Sequence, residues 1–188
     1  MTTLYCLGDS LTFGPGVRPA QKWTALAASE GMRIVNLGVP GDTAVGMLAR
    51  LQKLELTAGD TVLVMGGTND IFCTLTDTGA RAAVAAMVQQ LLARGQRPVV
   101  GTPIPVVPEM APEKWRQLVD FAAAAPVLKA YRAWLKVYCH TFGVPVVDFF
   151  ECYVNRNGMS RQELYLDGLH PNADGHRKMA ARLLEAGL

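Results

Sequence analysis

The stretch Thr3-Leu4-Tyr5-Cys6-Leu7-Gly8-Asp9-Ser10-Leu11 decides the fold. Its first five residues are mostly apolar and β-prone, which predicts a buried strand. Gly8 stops that strand and permits a tight turn. Ser10 therefore sits just past a strand end, at the rim of a sheet, where open α/β sheets bind their ligands. A serine there serves as a nucleophile only if the chain also supplies a base, a group to orient the base and donors for an oxyanion.

The same punctuation recurs along the chain. Arg33-Ile34-Val35-Asn36-Leu37 reads as a second strand ending at Gly38, and Thr61-Val62-Leu63-Val64-Met65 as a third ending in Gly66-Gly67-Thr68-Asn69-Asp70. Pro98-Val99-Val100-Gly101-Thr102 and Pro145-Val146-Val147-Asp148 read as the fourth and fifth. Nearly continuous apolar runs such as Thr61 to Met65 suit strands covered on both faces. Helical spacing fills the intervals: a helix over 22–29 stopped by Gly31, one carrying Met47, Leu48, Leu51 and Leu54, one over 78–94, and a last one over 173–185 capped by Asn172. Residues 71–77 read as a loop. The prolines of residues 103–112 exclude regular helix there, and Pro126 is expected to break the following helical region in two. Five alternations of strand and helix predict a doubly wound parallel sheet with helices on both faces, in one domain over 1–188.

The composition bounds the partners. With 188 residues, half of them hydrophobic, the chain can bury an ordinary core. A formal net charge of +2 with no basic run argues against nucleic acid as a partner. No apolar stretch reaches the ~18 residues of a membrane span, so stable membrane insertion is not expected. No secretory signal is evident, and the expected location is cytoplasmic. Cys6, Cys73, Cys139 and Cys152 form no CxxC pair, and Cys6 and Cys139 are expected to be buried thiols.

Three further elements suit the chemistry of Ser10. The Asn69 amide can donate to an oxyanion over the same rim, although Asn-Asp also closes turns well. Gly38 lacks a side chain, so its N–H can approach a ligand, although glycine also simply ends strands. In Tyr165-Leu166-Asp167-Gly168-Leu169-His170-Pro171, a short turn can set the Asp167 carboxylate against one nitrogen of His170 and leave the other free to take a proton. A solvated loop is the plainer alternative, and a metal site lacks further ligands at suitable spacing. Asp9 is expected to hold the turn. Asp70 and Asp148 also end strands and are second-choice acids. His140 suits a helix C-terminus, and His176 is expected at the surface.

Gly8-Asp9-Ser10-Leu11, Gly38 within Asn36-Leu37-Gly38, Gly67-Thr68-Asn69-Asp70 and Asp167-Gly168-Leu169-His170-Pro171 resemble, in order, the four signature blocks of the SGNH (GDSL-type) esterases and lipases. The resemblance implies a flavodoxin-like fold of five parallel strands in the order 2-1-3-4-5. It implies Ser10 as nucleophile, His170 as base and Asp167 as the residue orienting it. It also implies an oxyanion hole from the Ser10 and Gly38 N–H groups and the Asn69 amide. The expected activity is cofactor-free hydrolysis of a small carboxylic ester, with acyl transfer to an alcohol through the same intermediate as an alternative. A flavodoxin-like ligand-binding module is the rival from another class, but no GxGxxG or GxxxxGK[ST] is present.

Two segments follow strands whose ends form the rim, residues 71–76 and 104–115. They offer Ile71, Phe72, Ile104, Val106, Val107, Met110 and Trp115, with Lys114 and Arg116 beside Trp115. As an apolar wall they would favour uncharged acyl chains of short to medium length, at ~0.8 kcal/mol per buried CH₂. The alternative is that they pack beneath the loops as satellite core. The acyl group, the alcohol and the oligomeric state are open at this level.

Overall fold

The computed structural model describes residues 2–28 and 32–187. In chain order the elements are β1 (Thr2–Gly8), α1 (Ser10–Phe13), α2 (Trp23–Leu26), β2 (Met32–Gly38), α3 (Ala44–Leu51), β3 (Thr61–Met65), α4 (Thr68–Thr74), α5 (Thr78–Ala93), β4 (Arg97–Gly101), α6 (Glu113–Arg116), α7 (Phe121–Phe142), β5 (Val146–Val147) and α8 (Ala173–Glu185). The strands form one parallel sheet in the order β2-β1-β3-β4-β5, as expected.

Strand alternation builds a core on each face of the sheet. Leu7, Val62, Val64 and Val100 point one way and pack with Met47 and Leu51 of α3, Val84 and Val88 of α5 and Leu128 and Leu135 of α7. Leu4, Cys6, Leu63, Met65, Val99 and Val147 point the other way, onto Trp23 of α2 and Met179 and Leu183 of α8. The inner strands β1, β3 and β4 are thus apolar on both faces, which is why their runs lack regular polar alternation, whereas the edge strand β2 exposes Arg33 and Asn36. Cys6 and Cys139 are buried free thiols, and burial raises the pKa of both.

Several elements differ from the sequence expectation. The helix expected over 22–29 is the single turn Trp23–Leu26, and its expected end at Ser29 and Gly31 lies outside the described residues. Residues 68–74, read as a turn and a loop, are the helix α4. Thr-Asn-Asp has poor helix propensity, but Gly67 at φ 109° turns the chain straight from β3 into the helix, and Ile71 is fully buried beneath it. Tertiary packing overrides propensity there. Pro126 does not split α7. Its ring removes one i→i−4 bond near the helix start, and both Pro126 and Ala122, whose carbonyl loses the partner, face solvent. The Asp120 side chain caps this helix by accepting from Ala123 N–H at 2.9 Å.

His176 is fully buried, not at the surface. It lies on the same stripe of α8 as Met179, Ala180 and Leu183, and its Nδ1 accepts from Trp23 N–H at 3.2 Å. Burial lowers its pKa to about 4, helped by Lys22 and His170, so the ring is neutral. His140 occupies the last turn of α7, as expected.

Candidate active site

The C-terminal ends of β1, β2 and β3 converge on one cleft. Ser10 is the first residue of α1, directly after β1. The turn that presents it is held by Asp9, whose Oδ1 accepts from Leu11 N–H at 2.8 Å and whose backbone carbonyl accepts from Phe13 N–H at 3.0 Å. Asp9 is 1% exposed, and burial pushes its carboxyl up to about 7 against the pull of the Leu11 N–H and His170. Trp23 fixes the same turn from the side, with its indole N–H donating to Leu11 O at 2.9 Å.

His170 lies against Ser10 across 160 residues of sequence, with Nε2 3.0 Å from Oγ. Its Nδ1 is 2.9 Å from Asp167 Oδ2. The other carboxylate oxygen, Oδ1, accepts from His170 N–H at 2.7 Å and Leu169 N–H at 3.0 Å. Partial burial alone would raise the Asp167 pKa, but these bonds and the attraction of His170 outweigh it and hold the carboxyl below its usual range. An ionised Asp167 accepts from the Nδ1 proton, which leaves Nε2 as the acceptor facing the Ser10 hydroxyl. The Trp115 ring meets His170 edge-on, with centroids 5.6 Å apart.

The turn carrying these two residues is braced from beneath. Gly168 has φ 77°, and a side chain there would sit 2.4 Å from Val107 O. Gly168 O accepts from Val107 N–H at 2.8 Å, and the Tyr165 hydroxyl donates to Pro105 O at 2.6 Å. The segment after β4 therefore supports the Asp167–His170 turn. Accordingly Ile104, Val106 and Val107 are core residues, as is Ile71. Met110 is partly buried against the same core. None of these five lines the cleft, contrary to the acyl-wall expectation. Phe72 and Trp115 do line it, together with Pro15, Pro40, Leu118, Val119, Phe121 and Leu169. The cleft holds about 280 Å³ and also exposes Ser10, Gly41, Asn69 and His170.

The strand-end glycine needs correction as well. The Gly38 N–H donates to its own neighbour, Asn36 Oδ1, at 2.9 Å, and Gly38 opens onto a separate depression beside Phe13, Lys22 and Asn36. Its lack of a side chain serves packing, because a Cβ would lie 2.2 Å from Phe13 N and 2.8 Å from Asp9 O. Three residues on, Gly41 lines the cleft with Ser10 and Asn69. Among the described residues, the backbone N–H groups of Gly41 and Ser10 donate to no protein acceptor. One hydrogen of the Asn69 amide goes to Asp42 O, with Nδ2 2.8 Å away, which leaves the second for a ligand. A second glycine in the Val39-Pro40-Gly41 loop was the available signal; that it lines the cleft while Gly38 packs against Phe13 and Asp9 is a tertiary fact.

The second-choice acids are engaged elsewhere. Asp70 Oδ2 accepts from Ala44 N–H at 2.8 Å. Asp148 accepts from Arg132 through both oxygens, at 2.9 and 2.7 Å, and from Thr102 at 3.0 Å.

Known proteins resemble this chain in sequence and in fold. The Esterase TesA of Pseudomonas aeruginosa is 35% identical over 103 residues, a match spanning 50% of this chain and 51% of that protein, so about half the length of this curated relative is covered. A member of the lipolytic protein G-D-S-L family from Veillonella parvula shares the fold with a TM-score of 0.84 at 21% identity, over 98% of this chain and 97% of that one. The aryl esterase of M. smegmatis superposes with a TM-score of 0.78 at 21% identity over 98% and 97%. The model of the GDSL-like lipase/acylhydrolase family matches residues 6–178, nearly the whole chain, and the protein belongs to that family.

Proposed function

We propose that the protein is a carboxylic-ester hydrolase in which Ser10 is the nucleophile, His170 the general base and Asp167 the residue that orients it. The observation that carries this reading is the unbroken chain from Ser10 Oγ to His170 Nε2 at 3.0 Å and from Nδ1 to Asp167 Oδ2 at 2.9 Å, opening on an apolar cleft. Ser10 Oγ attacks the ester carbonyl while His170 Nε2 takes the hydroxyl proton. The Ser10 N–H, the Gly41 N–H and the free Asn69 amide hydrogen are the donors we assign to the developing oxyanion; Gly38, with its N–H occupied, is not one of them. His170 then gives its proton to the departing alcohol, and water releases the acyl group by the same route.

No Asp, Glu, Lys or Arg among the described residues lines the cleft, and the Phe72 and Phe121 rings meet tilted within it, centroids 4.8 Å apart. This supports an uncharged small-molecule ester with a short-to-medium acyl group as substrate. No described helix is long and apolar enough to cross a membrane. Transfer of the acyl group to an alcohol would pass through the same intermediate, and adding methanol to the assay separates the two by their products. The decisive test is Ser10→Ala assayed on p-nitrophenyl esters of increasing acyl length. Loss of one triad member costs several orders of magnitude; retention of more than a tenth of the activity would remove Ser10 from the role.

A further inference from the structure

The oxyanion donors assigned above sit on separate segments, and one cation ties those segments together. Arg50, in the last turn of α3, directs its guanidinium at three acceptors. Its Nε–H donates to Asp42 Oδ2 at 2.7 Å, one terminal nitrogen donates to Leu37 O at 2.8 Å, and the other donates to Gly8 O at 2.8 Å. Leu37 belongs to the end of β2, Gly8 to the end of β1 two residues before Ser10, and Asp42 directly follows Gly41. Gly8 O also accepts from Val39 N–H at 3.0 Å, which joins the same two strand ends.

Asp42 passes this fixation on. Its backbone carbonyl accepts from Asn69 Nδ2 and so sets the plane of that amide. Room for its carboxylate is provided by Gly46, where a Cβ would lie 2.0 Å from Asp42 Oδ1. Arg50 itself does not line the cleft. A partly exposed ion pair, with Arg50 29% and Asp42 14% exposed, contributes little to stability in isolation. A planar fork with three fixed acceptors on three segments instead specifies geometry, which a lysine cannot reproduce.

Resting on the ester-hydrolase reading, we infer that Arg50 is a positioning residue for the oxyanion hole, acting through Asp42 on Gly41 and Asn69 and through Gly8 on Ser10. Its contribution is to transition-state stabilisation and not to substrate binding.

The test compares Arg50→Met and Arg50→Lys, each in the parent and in Asn69→Ala, with active sites counted by fluorophosphonate titration and rates expressed per titrated site. Arg50→Met is expected to lose about tenfold in kcat with KM within twofold, since even a 1 Å misplacement of catalytic groups costs about 10². Affinity for an alkylboronic acid, which forms a tetrahedral adduct on the serine, falls by the same factor. Arg50→Lys recovers only part of the loss. In the Asn69→Ala background the cost of Arg50→Met shrinks below threefold, because one of the groups it positions is gone. The inference is overturned if kcat per titrated site is unchanged, if KM rises alone, if fewer sites titrate at normal kcat, or if the same factor is lost in both backgrounds. If Ser10→Ala stays active, the hydrolase reading fails instead, which is a separate result.

Discussion

Replacing Asp167 by Asn changes one atom, and the hydrogen bonds around it dictate the outcome. Asp167 Oδ1 accepts two backbone N–H groups, from Leu169 and His170, while Oδ2 faces His170 Nδ1. An asparagine must keep its carbonyl oxygen on the two backbone donors, because its NH₂ there would set donor against donor and leave buried N–H groups unpaired. The NH₂ then faces Nδ1, which has to become the acceptor. The ring proton moves to Nε2 and points at Ser10 Oγ, so the base arrives already protonated. Imposing the wrong tautomer on such a triad costs about 10⁴ in kcat while leaving geometry intact. The stability cost is smaller: one charge-assisted hydrogen bond contributes about 1.5–3 kcal/mol, and about 2–4 °C of Tm follows each kcal/mol in a chain of this size. The folded-state pKa of Asp167 is lowered, so its stabilising effect is present above the usual carboxylate range and is lost as pH falls through the lowered value. The Tm difference between parent and Asp167→Asn therefore narrows in strong acid. Steady-state kinetics on a p-nitrophenyl ester, with thermal melts at neutral and acidic pH, measure both effects. A kcat within tenfold of the parent at neutral pH would refute the tautomer argument.

Three further outcomes are expected. Asn69→Ala should lower kcat by about 10² with little change in KM, the usual scale for one oxyanion donor; a raised KM at unchanged kcat would make Asn69 a substrate-binding residue. Gly38→Ala should lose both Tm and kcat, because its Cβ meets the backbone that carries Ser10, whereas Gly41→Ala meets open space and bears only the ~1–2 kcal/mol of a left-handed residue; equal melting temperatures for the two variants would contradict this. Phe72→Ala should shift the acyl-length optimum upward, while Val107→Ala should lose about 2 kcal/mol of stability and keep the parent profile; a profile shifted only by Val107→Ala would return the segment after β4 to the acyl wall.

The strands were legible because their signal is local: a short apolar run closed by glycine, repeated at intervals that a helix fills. The triad candidates were legible for a related reason. Ser10 adjoins a strand end, and Asp167 and His170 are separated by one turn just before the Asn172 cap, so sequence spacing alone puts each at the rim. What failed depended on contacts between distant segments. Gly38 and Gly41 lie three residues apart, but Gly41 lines the cleft with Ser10 and Asn69 whereas Gly38 packs against Phe13 and Asp9. Ile104, Val106 and Val107 have the composition of either a pocket wall or a buried support, and the Gly168–Val107 bond decides it. Leu118, 83% exposed at the cleft mouth, carries no local mark of its place. His176 differs, because its local spacing from Met179, Ala180 and Leu183 is itself enough to put it on the buried stripe of α8.

The central claim is that ester hydrolysis runs through Ser10, and a fluorophosphonate tests it most directly. The probe reacts with an activated serine hydroxyl, and intact mass with peptide mapping locates the adduct. The account predicts one label per chain on Ser10, loss of esterase activity in proportion to labelling, and no label on Ser10→Ala. Full labelling at another residue, or a fully labelled protein that still hydrolyses esters, would contradict it.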